Sequence, residues 1–118
     1  MKKHLLSIFI LGCMLSMNAQ DYTKFQIQRA TMFSTYIADQ MELNDSQKEF
    51  VYEVMLARVY NSNAKIKAEN LTSQKDKQAV YTAEYKNAQQ KLAEEFGPKM
   101  ARKMMSLSNE SRKKADNK

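Results

Sequence analysis

The stretch LNDSQ at residues 43–47, within MELNDSQKEF at residues 41–50, separates two helical stripes of apolar side chains. Upstream, Phe25, Met32, Phe33, Tyr36, Ile37 and Met41 recur at three- and four-residue spacing, which predicts one face of a helix of about five turns over residues 22–41. Inside the stretch, Asn44 is a good N-cap: its side-chain oxygen can accept from the amide of Ser46 or Gln47, and Gln47 can reach back to the amide of Asn44. Asp45 places negative charge in the first turn, where the helix dipole favours it. Leu43, just outside, is free to fold against a bundle.

Downstream, a second stripe runs through Phe50, Val51, Val54, Ala57, Asn61, Ala64 and Ala68. It is apolar over more than one face at first, then thins beyond Asn61, so its far end is expected to be solvated or to meet a partner. Leu71, Thr72 and Ser73 form the next interruption, and Ser73 with Asp76 fits a capping box that opens a third helix. Its face is Val80, Tyr81, Tyr85, Ala88, Leu92 and Phe96, and it stops at Gly97-Pro98, a glycine suited to a helix end followed by a proline suited to a new first turn. Met100, Met104 and Leu107 make a short fourth stripe. Residues 108–118 are polar without apolar periodicity and read as a fraying or disordered tail. With two glycines and one proline in 118 residues, the chain is expected to be all-α, an elongated hairpin or bundle of about four helices over residues 20–107. The second and third helices, each roughly 35 Å long at about 1.5 Å per residue, set that elongation.

The first 19 residues read as a cleaved signal peptide: Lys2, Lys3 and His4 precede an apolar run of about a dozen residues, and Ala19 is the small residue a signal peptidase accepts. That run is shorter than the roughly 20 residues a spanning helix needs. A lipoprotein site at Cys13 is disfavoured by Leu11 before the glycine and by the apolar Met14-Leu15 after the cysteine. The expected address is periplasmic or secreted. Removing 19 residues from 118 leaves 99, one domain on length alone. It also removes the only Cys and the only His, and it leaves 17 basic against 13 acidic residues, a net charge of +4. No disulfide can then supplement a small core, so packing or self-association must hold it, and a homodimer is expected. So mild a bias in an exported chain gives no support to nucleic-acid binding.

Nucleophilic catalysis of the Ser-His or Cys-His kind needs a base that the mature chain lacks. The carboxylate pairs Glu49/Glu53 and Glu94/Glu95 read as solvated helix faces among lysines. No glycine-rich phosphate loop is present. Non-enzymatic function without a cofactor is therefore expected. Met100, Met104 and Met105 could hold Cu(I) through their thioethers, but flexible core or interface packing is the simpler reading of such a cluster.

LNDSQ also resembles the LTxxQ motif of the Spy/CpxP family of periplasmic helical proteins: Leu43 and Gln47 match, and Asn44 replaces the threonine by another N-cap. The signal peptide, the length and the order of amphipathic helices agree over roughly residues 25–107. The second copy usual in the family is approximated by Leu71-Thr72-Ser73-Gln74, where the glutamine comes one residue early. The chain is similar as well to small exported helical proteins of Bacteroidetes with a related motif. The resemblance implies a dimeric cradle that holds unfolded or partly folded envelope proteins without ATP, with Arg58, Tyr60, Lys65 and Lys67 as the implied client-binding residues. Members that instead regulate an envelope-stress sensor supply the alternative, an adaptor with a single membrane partner.

Overall fold

The computed structural model describes residues 22–117, so the segment read as a signal peptide, with Cys13, lies outside the described residues. Four helices account for almost all of it: α1 Lys24–Met41, α2 Asp45–Ala68, α3 Gln74–Phe96 and α4 Pro98–Asp116, with no strand among the described residues. The expected all-α class and helix number hold.

The local chemistry that starts and stops these helices is largely the chemistry of the sequence. Asn44 caps α2 by accepting from the Gln47 amide at 2.8 Å, while the Asn44 amide donates to the Gln47 side chain at 2.9 Å. The same reciprocal box opens α1, where Thr23 pairs with Gln26 at 3.0 and 2.9 Å; residues 22–41 therefore begin with a cap at Thr23 rather than with helix. At α3 only half of the box forms: Ser73 accepts from the Asp76 amide at 3.1 Å, without a return bond. The aspartate side chain is one methylene shorter than that of the usual Glu or Gln, too short to reach back. Pro98 occupies the first turn of α4, after Gly97 at φ 93° and ψ 155°, a conformation close to glycine-only. Glu42 and Asn70 end α1 and α2 in left-handed conformations, at φ 54° and 51°.

Short connections make sequential helices antiparallel neighbours, and the four close into a ring in which α1 packs on α2 and α4, and α3 packs on α2 and α4. The long α2–α3 hairpin is present, at 24 and 23 residues, but the shorter α1 and α4 lie along it and give a bundle of 45 × 32 × 25 Å. The tip of the hairpin projects past them, and from Ala64 to Ala79 most side chains are exposed.

The core has two unlike ends. Toward the connections at 42–44 and 97 it is apolar: Ile37, Val51, Leu92, Ala101, Met104 and Met105 are fully buried, with Phe50 edge-on to Phe96 at 5.7 Å. Toward the opposite end the buried residues include Gln26, Ser34, Ser62, Ser108 and Ser111. Each of the four serines donates to a carbonyl one turn back on its own helix, so no buried side-chain polar atom lacks a partner among the described residues.

Two expectations are corrected here. The segment after Leu107 is not a tail: α4 continues to Asp116, burying Ser108 and Ser111 against the bundle, while Tyr36 donates to Glu110 at 3.0 Å. Its inward positions are small and polar, so the apolar stripe stops where the packing does not. On α2 the inward line beyond Val54 is Met55 and Ser62, both buried, with half-buried Arg58 between them reaching Ser108, not Ala57, Asn61 and Ala64; the inward face follows a spacing of three and four residues from Val51.

Candidate anion-binding cleft

Arg58 is carried to the middle of the bundle by that inward line of α2. Its guanidinium carbon lies 5.2 Å from the ring centre of Phe33 on α1 and 5.2 Å from that of Tyr85 on α3. One terminal nitrogen donates to Ser108 Oγ on α4 at 3.2 Å and approaches Met55 Sδ at 3.8 Å. Ser108 can accept because its own proton goes to the Met105 carbonyl at 2.7 Å. One side chain thus touches all four helices, and the two rings and the hydroxyl fix the plane of the guanidinium.

No carboxylate lies within ion-pair distance of Arg58, although Glu84 and Glu94 line a separate cavity that Arg58 also borders. Among the described residues the only ion pair is Lys65–Glu69, exposed on α2 at 3.7 Å. Arg58 is half-buried, and a charge withdrawn even partly from water is commonly paired. Burial pulls the Arg58 pKa below the ordinary arginine value, the like charge of Arg112 lowers it further, Tyr85 raises it, and Arg29 lowers it again. An arginine starts so far above neutrality that the group remains a cation.

Arg29 and Arg112 share a cleft with Arg58, about 270 Å³ in volume and open to solvent. The three cations come from α2, α1 and α4, and Phe25, Phe33 and Tyr81 provide its aromatic walls. Phe25 is 55% exposed beneath the Arg29 guanidinium, at 5.2 Å, and Tyr81 is 40% exposed. The lining contains no carboxylate, histidine or cysteine, and its one serine, Ser62, already donates to the Arg58 carbonyl at 2.9 Å. Such an arrangement can hold an anion beside an apolar body; it offers no base to activate a nucleophile.

Of the residues implied as a client-binding set, only Arg58 lies in this cleft. Tyr60 is half-buried and stands edge-on to Tyr22 at 5.3 Å, Lys65 pairs with Glu69, and Lys67 is exposed near the hairpin tip. Arg29, Arg112, Phe25 and Tyr81 were absent from that set. The one signal in the sequence is that Arg58 continues the three- and four-residue spacing of Val51 and Met55, which puts a cation on a buried face. Of the motif residues, Leu43 and Leu71 are half-buried and Thr72 is exposed beside the caps already described. Met104 and Met105 are fully buried in the core and Met100 packs against it, so their thioethers serve as core packing.

A second titratable pair departs from the solvated face expected for it. Burial raises the Glu53 carboxyl from 4.5 to about 7, and a hydrogen bond to Glu49 and the charge of Glu49 add to the effect. Its neighbours Tyr22 and Tyr52 are raised as well, in each case first by burial and then by the charge of Glu53.

No family model, curated protein or solved structure matches this chain.

Proposed function

We propose that the protein is an exported, ATP-independent binding protein that holds partly folded polypeptides, gripping segments in which an acidic side chain lies beside apolar ones. The observation that supports this reading is the cleft lined by three arginines and no acidic side chain, bordered by exposed Phe25 and Tyr81. Aromatic residues and arginine are enriched at the centres of protein interfaces, where a ring supplies apolar area and a guanidinium supplies directed donors. The +4 charge of the processed chain adds long-range attraction for acidic unfolded segments. Self-association into a homodimer belongs to the same proposal, as a way for a short bundle to present a larger surface.

The test is suppression of aggregation of several denatured clients at near-stoichiometric ratio without nucleotide, run beside a measurement of mass in solution. Suppression that weakens with added salt and is lost in a Phe25→Ser/Tyr81→Ser variant supports the reading. Failure with every client sinks it, and selective recovery of a single envelope protein points to the sensor-adaptor alternative instead.

A further inference from the structure

We propose that Arg29, Arg58 and Arg112 form a binding site for a dianionic phosphomonoester that carries an aromatic or apolar body. Three arginines from three helices line one cleft whose lining contains no acidic side chain. A single carboxylate would neutralise one of the three. A phosphomonoester brings about −1.5 to −2 charges and three acceptor oxygens, which suits several planar donor forks at once. Arg58 is held in place before any ligand arrives, by the Phe33 and Tyr85 rings and by Ser108. The Asn63 side chain, also in the lining, can add an uncharged donor. The roughly 270 Å³ of the cleft exceeds what a phosphoryl group fills, and Phe25 and Tyr81 stand where a ring or alkyl chain attached to it would lie.

The repulsion of Arg58 by Arg112 and Arg29 gives this site an unusual signature. A bound dianion relieves that repulsion and therefore stabilises the fold in proportion to its occupancy. Removing one of the outer arginines relieves it as well, but destroys the site.

The experiment titrates the full processed chain with phenyl phosphate at constant ionic strength, by calorimetry and by melting temperature. Benzoate serves as the monoanionic control with the same ring. The expected result is one saturable site per chain, with benzoate at least ten-fold weaker. Arg112 is exposed, so Arg112→Ala should fold; it should lose the phosphate-dependent rise in melting temperature while its ligand-free melting temperature stays level or increases. Arg29→Gln should behave alike. Benzoate binding as tightly as phenyl phosphate, stabilisation that follows ionic strength alone, or unchanged binding in both variants would each overturn the proposal. Vesicles of phosphatidic acid in phosphatidylcholine separate the two sources of such a group. Binding to them that phenyl phosphate displaces identifies a lipid headgroup, and phenyl phosphate binding without vesicle binding identifies a soluble phosphomonoester. A chain that suppresses aggregation but binds no phosphomonoester refutes only this inference, and the converse refutes only the polypeptide-holding reading.

Discussion

Replacing Glu53 by glutamine is expected to change how stability depends on pH while leaving the fold intact. In the folded chain Glu53 retains its proton up to about pH 7, through burial and through its hydrogen bond to Glu49 and the charge there, whereas the unfolded group releases it near 4.5. Between those values the folded state binds more protons than the unfolded one, so the free energy of unfolding falls as pH rises. The contribution of Glu53 is fully present below pH 4.5 and is lost as pH rises through 7. Each pH unit separating the two values is worth about 1.4 kcal/mol, but solvent reaches this partly exposed pair, and screening reduces the total to about 1–2 kcal/mol. Glutamine is neutral at every pH and its amide can still donate to Glu49. At pH 4.5 the variant and the parent should therefore be equally stable, while at pH 8 the variant should be more stable by about 1–2 kcal/mol, or about 5–10 °C in melting temperature for a domain of this size. Urea denaturation at pH 4.5, 6 and 8, with equal m-values as the check on two-state behaviour, reads the difference directly. Parallel pH curves for the two proteins, or a variant that is less stable at pH 8, would refute the raised Glu53 carboxyl.

The caps and connections give further expectations. Asn44→Ala removes one acceptor and one box partner and should cost about 1 kcal/mol in equilibrium denaturation. Gly97→Ala meets nothing within 4 Å, so its cost is backbone strain alone at φ 93°, about 1–3 kcal/mol; a neutral result would mean that the connection relaxes. Deleting residues 108–118 should lower the melting temperature by at least about 10 °C, because Ser108, Ser111 and the Tyr36–Glu110 bond go with them. A frayed tail would leave it unchanged.

Helix starts were legible because their chemistry is local: Asn44 with Gln47, and Gly97 with Pro98, act on their own backbone within a few residues. The TxxQ box at Thr23 carries the same local signal but stands just ahead of the first strongly apolar position, so the stripe alone hides it. The end of α4 was not legible for a different reason. Ser108 and Ser111 are buried by satisfying their hydroxyls on their own helix, and periodicity of apolar residues cannot register that. Arg58 entered through the set that the resemblance implies, beside Tyr60, Lys65 and Lys67, yet its actual surroundings come from Phe33, Tyr85 and Ser108. Those partners, and the company of Arg29 and Arg112, depend on how four helices close into a ring, which no spacing within one helix determines.

The unlike ends of the core bear on how the bundle breathes. Both tight connections at 42–44 and 97 sit with the methionine and leucine packing, while the serine-lined end has the start of α1, the end of α4, the α2–α3 hairpin and a cation without an ion pair. Local opening draws on the regions with the least buried apolar contact. Amide exchange is therefore expected to be fastest around Ser62 and Ser111 and slowest around Val51 and Met104, as in a clothes-peg that parts at the jaws and stays shut at the spring. The cleft lies at the jaws, where occupancy would be felt as slowed exchange across four helices at once.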